Sequence, residues 1–212
     1  MDSYIKDPLD IEEKSFEIIR AATNLSAFTD LERQVVMRLV HTCGNPEIAG
    51  DIRFSRNAVQ AGIDALNNHC SVLCDVEMVK QGLTKRFLDS QPLCFLNNTE
   101  IAEIAKTNGE SRTMTALRLW EPHLDNSIAI IGNAPTALYR LMELIEQGSP
   151  KPALIIGIPV GFVGAPESKQ YLARHHRSLG VEYITVSGRT GGSALAAGAF
   201  NTLVRLKRGL RF

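Results

Sequence analysis

The sequence predicts an α/β protein with three layers, α/β/α, in which helices cover both faces of a mainly parallel sheet of about five strands. In its second half, short apolar runs alternate with longer helical segments, a pattern typical of βαβ units. Three of these runs lead directly into Gly-rich turns, as strands of an open parallel sheet do at their carboxyl ends. The length of 212 residues favours a single domain spanning residues 1–212.

The chain begins with segments of helical periodicity. Three helices are predicted before the first clear strand: 10–21, the segment from Thr29 to Gly44, and 55–68. Asp10 is the expected cap of the first helix, and Thr29 with Glu32 forms a capping box for the second. Residues 51–54 fit either a short strand or a loop.

The alternation that predicts the sheet begins at residue 71. The short apolar runs are 71–75, 93–96, 127–132, 153–157 and 182–186. The helical segments that follow them are 76–82, 99–106, 111–119, 135–147, 166–178 and 193–206. The basic residues 205–212 are expected to be a solvated tail, because like-charge runs are usually solvated.

Composition narrows the possible functions. Lys and Arg together number 23, as do Asp and Glu, so the formal net charge is zero and a nucleic-acid surface over the whole chain is not expected. The chain has no apolar run of membrane-spanning length and no secretory signal pattern at its start, which predicts a cytoplasmic protein. Its four cysteines form no Cys-x-x-Cys pair and are expected to be reduced, buried thiols without a metal.

His41 is the candidate catalytic residue. The apolar residues of its helix fall on one side of a 3.6-residue wheel, and His41 falls on the other side, in the last turn. Because a helix C-terminus carries partial negative charge, this position predicts a raised pKa and a proton donor near neutral pH. A surface histidine that caps free carbonyls has the same pattern, so spacing alone leaves both interpretations open.

Three successive strands are followed by Gly-rich turns. Backbone N–H groups in such turns, and the helix N-termini behind them, favour anions, so three adjacent turns predict a surface that binds several negative groups. Tight turns with close helix packing are the alternative. The candidate binding residues are Gly132, Asn133, Gly161, Gly164, Arg189, Gly191, Gly192 and Ser193 in the turns, with Lys169 in the helix after the second turn.

Other motifs restrict the chemistry. The turns match neither the P-loop nor Gly-x-Gly-x-x-Gly, so ATP and NAD are not supported. Serine-hydrolase and zincin motifs are absent from the sequence. Arg112, at a predicted helix start, opposes the helix dipole, which favours a ligand or partner there; a plain exposed arginine is the alternative.

Five motifs in this order resemble the precorrin-8X methylmutase family. They are His41-Thr42-Cys43-Gly44, the segment Cys74 to Val79, the segment Gly132 to Leu138, Val160 to Gly164 with Glu167 to Lys169, and Gly188 to Ser193. The resemblance covers nearly the whole chain. It implies an isomerase of cobalamin biosynthesis that moves a methyl group from carbon 11 to carbon 12 of a corrinoid ring. The product would be hydrogenobyrinic acid, or cobyrinic acid if the substrate carries cobalt.

The resemblance also implies site residues and partners. His41 would protonate, or donate a hydrogen bond to, the nitrogen of ring C, and Ser15, Thr84 and Arg112 match further site positions. The family works without an added cofactor or metal, on a tetrapyrrole substrate, as a cytoplasmic homodimer with active sites at the subunit interface. A corrinoid-binding protein without catalysis is the main alternative. The layer architecture alone would also suit an NAD-dependent oxidoreductase.

Overall fold

A five-stranded sheet forms the centre of the structure, a computed structural model that describes residues 4–212. The strands are β1 (Ile52–Phe54), β2 (Val72–Cys74), β3 (Ile128–Ile131), β4 (Leu154–Gly157) and β5 (Glu182–Val186). Their order is β1-β5-β4-β3-β2; β2 to β5 run parallel, and β1 pairs antiparallel with β5. The predicted mainly parallel sheet of about five strands is confirmed.

Two short segments of uncertain structure lie at the edges of the sheet, and only one of them forms a strand. Residues 52–54, which the sequence left open between strand and loop, form the edge strand β1. The apolar run 93–96 forms no strand: Leu93 makes an isolated bridge to Leu73 in β2 and the chain then leaves the sheet.

All nine predicted helices are present within a few residues of the expected limits. They are α1 (Pro8–Ala22), α2 (Asp30–Cys43), α3 (Ala58–Asn67), α4 (Glu77–Gly82), α5 (Ile101–Asn108), α6 (Arg112–Ala116), α7 (Pro135–Glu146), α8 (Ala165–Leu179) and α9 (Ser193–Lys207). The capping box of α2 is confirmed, since the Glu32 carboxylate accepts from the Thr29 N–H at 2.8 Å. Asp7, and not Asp10, caps α1 by accepting from the Leu9 N–H at 2.8 Å.

The helices lie in two layers. Helices α1 to α4 and α9 contribute to the core on one face of the sheet, and α7 and α8, with Leu117 and Trp120 after α6, contribute to the core on the other. Strands β3 and β4 are buried along their whole length because both faces are covered. Helix α9 packs against α2, α3 and α4, so the residues on α2 and α4 are held in fixed positions relative to each other.

The predicted solvated tail is only partly correct. Residues 208–211 are exposed, but the chain on either side of them is packed. The Phe212 ring stacks on Phe16 of α1 with centroids 4.0 Å apart, and its N–H donates to the Gln34 side chain at 2.7 Å. The prediction of a solvated tail used only the basic charge of the segment, and that charge does not indicate the packing of its last residue, Phe212.

The burial of the cysteines and the lengths of the helices can be compared with what the sequence predicts. Cys74 is buried and Cys70 is half-buried, and burial raises the pKa of Cys70 to about 11. Cys43, at the end of α2, is exposed, so the prediction of buried thiols is wrong at that position. No helix within residues 4–212 is long and apolar enough to cross a membrane.

Candidate functional site

The turns after β2 and β3 are joined by a buried carboxylate. Asp75, directly after β2, accepts hydrogen bonds from the N–H groups of Gly132, Asn133 and Ala134 at 3.1, 2.9 and 3.1 Å. Burial raises the pKa of Asp75, and these donors act in the opposite direction. The N–H groups of the turn that leads into α7 therefore already have a carboxyl partner, which leaves the exposed Asn133 side chain open to a ligand.

The turns after β4 and β5 are also in direct contact. The Gly192 N–H donates to the carbonyl of Ile158 at 2.9 Å. A Cβ at Gly191 would lie 2.4 Å from the carbonyl oxygen of Pro159, so only glycine allows the two turns to approach this closely. Lys169, buried under them, donates from Nζ to the carbonyl of Thr190 at 2.8 Å.

An arginine and an aromatic ring project from these turns. The Arg189 guanidinium lies 5.2 Å from the ring centroid of Phe162, and the Gly161 N–H donates to the Arg189 carbonyl at 3.3 Å. Phe162 is 82% exposed and Val163 is 89% exposed. The carboxyl edge of the sheet thus presents a cation next to an open apolar surface.

His41 lies on the exposed side of α2, as the wheel predicts, against α1. Its ring stacks on Phe16 with centroids 5.2 Å apart. Ser15, the preceding residue of α1, is half-buried at the same helix contact. Ser15 is thus the sequence neighbour of the residue on which His41 stacks.

The expected raised pKa of His41 is wrong. Burial lowers its pKa, the positive charge of Arg38 lowers it further, and Glu12 acts in the opposite direction. Two carbonyls in the last turns of α2 already have additional donors. Thr42 Oγ1 donates to the Arg38 carbonyl at 2.7 Å, and the Gly44 N–H donates to the Val40 carbonyl at 2.8 Å.

A cavity of about 410 Å³ opens between α2, α4 and α9, and Arg38 and Thr42, the lining residues from α2, flank His41 in the sequence. Thr42 and Thr84 line it from α2 and from the turn after α4. Asn201 of α9 holds Thr84 by accepting from its N–H at 2.8 Å. Gly198 leaves room for the Thr42 hydroxyl, since a Cβ there would lie 3.0 Å from Oγ1.

Cations dominate the charge of this cavity. Arg38, Arg86 and Arg205 all line it. Glu12 is shared by two of them, at 3.4 Å from Arg38 and 3.3 Å from Arg205. Burial lowers the pKa of Arg38, and the charge of Arg205 adds to this effect. Two guanidiniums with one carboxylate between them favour an additional anion from a ligand.

Comparison with known proteins assigns this chain to a family. A family model described as precorrin-8X methylmutase matches residues 10–206. The chain belongs to the precorrin-8X methylmutase family. It is therefore an enzyme with methylmutase activity, an isomerase of cobalamin biosynthesis.

Three relatives illustrate the similarity. The precorrin-8X methylmutase of Pseudomonas aeruginosa is 46% identical over 206 residues, covering 96% of this chain and 98% of that protein. The cobalt-precorrin-8 methylmutase of Methanocaldococcus jannaschii is 34% identical over 210 residues, covering 96% of each chain. The crystal structure of a precorrin-8X methylmutase from Thermus thermophilus superposes with a TM-score of 0.84 at 34% identity, covering 95% of this chain and 97% of that chain.

The positions expected from the methylmutase resemblance fall into two groups in one subunit. Thr84 lines the cavity between α2, α4 and α9, whereas His41 lies on α2 between two lining residues and Ser15 precedes Phe16, on which His41 stacks. The Gly-rich turns lie along the carboxyl edge of the sheet and reach this cavity through the start of α9, because Ala194 lines it directly after Ser193.

Arg112 lies away from His41, in the opposite helix layer. Its guanidinium donates to the Leu96 carbonyl at 3.0 Å. The adjacent Ser111 hydroxyl lies 2.7 Å from the hydroxyl of Thr136 in the first turn of α7, which places Arg112 beside the turn after β3. One subunit does not bring Arg112 to the cavity between α2, α4 and α9.

Sequence reasoning missed the three arginines of the cavity, Arg38, Arg86 and Arg205. Arg38 precedes His41 by three positions on α2, and that spacing places both on one helix face. This signal was available in the sequence. Arg205 was assigned to the tail, and no spacing rule could have placed it against Glu12 of α1.

The lowered pKa of His41, opposite to the direction that the helix dipole predicts, can be tested directly. In the ligand-free protein the imidazole should titrate below its ordinary value of 6.5. Arg38→Met should raise this pKa because a nearby positive charge is removed, and Glu12→Gln should lower it because a negative charge is removed. A histidine-selective NMR titration measures all three values. A wild-type pKa above 6.5, or a fall in the Arg38→Met variant, would contradict the assignment.

Proposed function

We propose that this methylmutase converts precorrin-8X to hydrogenobyrinic acid by moving a methyl group from carbon 11 to carbon 12 of the corrinoid ring. The observation that carries the proposal is that α2, the helix of His41, also supplies Arg38 and Thr42 to a cavity lined by three arginines. The substrate carries many carboxylates and no leaving group. Its conversion needs orientation and a proton donor, and this cavity supplies both.

The cationic groups act on the carboxylates. Arg38 and Arg205 bind them by charge-assisted hydrogen bonds near His41. Arg189 and Arg112 act at the carboxyl edge of the sheet. Because Glu12 already lies between Arg38 and Arg205, a substrate carboxylate competes with it for the same donors.

His41 acts on the nitrogen of ring C. During the rearrangement the methyl carbon breaks its bond to carbon 11 and forms one to carbon 12, so the product is an isomer of the substrate. A hydrogen bond or a proton from the imidazole withdraws electrons from the ring and makes the acceptor carbon more receptive. The carboxylates of a bound corrinoid would raise the pKa of His41, which opposes the effect of Arg38 in the free enzyme.

The metal-free form is the preferred substrate in this proposal. The relatives of Pseudomonas aeruginosa and a Sinorhizobium species, named precorrin-8X methylmutases, are 46% and 44% identical to this chain. Relatives named cobalt-precorrin-8 methylmutases, from Methanocaldococcus jannaschii and Priestia megaterium, are 34% and 38% identical. The preference follows the greater similarity to the first group.

A cytoplasmic homodimer with shared active sites completes the proposal. A cavity of about 410 Å³ is small for a corrinoid with its side chains, and Arg112 lies away from it in one subunit. Apolar side chains are exposed on one face of α1: Ile11 is 44% exposed and Ile18, seven positions later, is 56% exposed. A second subunit on this face would bury them and could supply further walls of the site. Light scattering that finds a monomer would contradict this part.

The activity test uses the purified protein with precorrin-8X and, separately, with its cobalt form. A change in the absorption spectrum together with hydrogenobyrinic acid as product is the expected result, with higher kcat/KM for the metal-free substrate. Tight binding without any spectral conversion would favour the corrinoid-binding alternative. Higher kcat/KM for the cobalt form would overturn only the proposed preference for the metal-free substrate and would leave the proposed reaction standing.

A further inference from the structure

Lys169 is an unusual lysine because its side chain is enclosed. It lies on α8 and is 1% exposed. Lysines are almost never fully buried unless they are paired. Its Nζ donates to the carbonyl of Thr190 at 2.8 Å, and Asp51, before β1, is the charged group that acts on it among the described residues. An enclosed ammonium is not positioned to bind a substrate carboxylate directly.

The partner of Lys169 is a junction between two turns. Thr190 precedes Gly191, which packs on the Pro159 carbonyl, and Gly192, whose N–H donates to Ile158. Lys169 adds a third connection at this junction, and it comes from the helix layer opposite α9. The turn after β5 is therefore held from both sides of the sheet.

This junction determines where exposed groups point. On one side of Thr190, Arg189 accepts a hydrogen bond from the Gly161 N–H through its carbonyl and projects its guanidinium over Phe162. On the other side, α9 begins at Ser193, and its first turn lines the cavity through Ala194. A displacement of Thr190 would move both the cation and the helix start.

We propose that Lys169 is a positioning residue of the methylmutase, which holds the Thr190 carbonyl and thereby orients Arg189 and the start of α9 toward the corrinoid without touching it. The proposal rests on the proposed function for its link to turnover. It changes the role expected for Lys169 from a substrate ligand to a support for the turns that face the substrate.

The test compares two variants with the wild type. Lys169→Met keeps the length of the side chain and removes the donor, and we expect kcat to fall about tenfold or more, since small misplacements in a site are costly. KM and the Kd of the corrinoid product should change less than about threefold. Lys169→Gln restores a neutral N–H donor and should recover part of the lost kcat. Lys106→Met, at an exposed position on α5, is the matched control and should match the wild type.

A pH profile adds a readout that general instability would not change. Burial lowers the pKa of Lys169 to about 8, and Asp51 acts in the opposite direction. The ammonium is therefore lost as pH rises through about 8, and because a neutral amine is a weaker donor than an ammonium, the wild-type kcat should fall on that alkaline side. Lys169→Gln does not titrate there, so its profile should lack this limb.

Three outcomes would overturn the proposal. One is an unchanged kcat in folded Lys169→Met, and another is a large rise in product Kd with unchanged kcat, which indicates direct binding. Hydrogen exchange supplies the third, independently of any substrate. The Gly161 and Gly192 amides should exchange faster in Lys169→Met than in the wild type, and equal rates would show that Lys169 does not hold the junction. A wild type that converts no corrinoid would instead refute the proposed function.

Discussion

Replacing His41 with alanine should reduce kcat by about 10²- to 10⁴-fold, the range typical for loss of a general acid. The product should still bind within about threefold of the wild-type Kd, because the proposal assigns carboxylate binding to the arginines of the cavity and not to His41. His41 is exposed on the surface of α2, so its removal leaves the core intact. Single-turnover absorption measurements and a product-binding titration give the two values.

Two further variants define the role of His41. His41→Gln keeps an N–H donor that cannot protonate the substrate, so recovery of activity in this variant would indicate hydrogen bonding, and no recovery would indicate proton transfer. His175→Ala is the matched control, since His175 stacks on Tyr171 in the opposite helix layer. Turnover retained in His41→Ala would refute the catalytic assignment even though the family is established.

The elements of this fold could be predicted from the sequence because their signals are local. Helical periodicity and the capping box of Thr29 and Glu32 depend on residues within a few positions of each other. The strands β3 and β4 are continuous apolar runs, which buried parallel strands require. The edge strand β1 was left open because its three residues carry almost no pattern, and its pairing with β5 joins residues far apart in the chain.

The candidate site was predicted less completely because its geometry depends on distant contacts. The sequence placed His41 at a helix end, where the dipole alone predicts a raised pKa. The opposite direction follows from burial against Phe16 and from Arg38 on the same face. Lys169 was expected to face the substrate, since residue type says nothing about which way an enclosed side chain points. The role of Asp75 could not be predicted either, because its hydrogen-bond donors lie more than fifty positions away in the sequence.

Asp75→Ala should have the largest effect on stability, a loss of about 3–5 kcal/mol in the free energy of unfolding. The substitution leaves three backbone N–H groups at the start of α7 without their acceptor in a buried site. Each such group costs about 1–3 kcal/mol when it cannot reach water. Because a typical domain is stable by only about 5–15 kcal/mol, the variant should unfold at much lower denaturant concentration.

Two controls separate this effect from a simple loss of charge. Asp125→Ala removes an exposed carboxylate, and its stability should stay within about 0.5 kcal/mol of the wild type. Asp75→Asn retains one oxygen acceptor but places an NH₂ group opposite a backbone donor, so we expect an intermediate loss. Urea unfolding followed by circular dichroism measures all three. A loss below about 1 kcal/mol for Asp75→Ala would mean that water replaces the carboxylate at the start of α7, and that this helix terminus is open to a substrate anion after all.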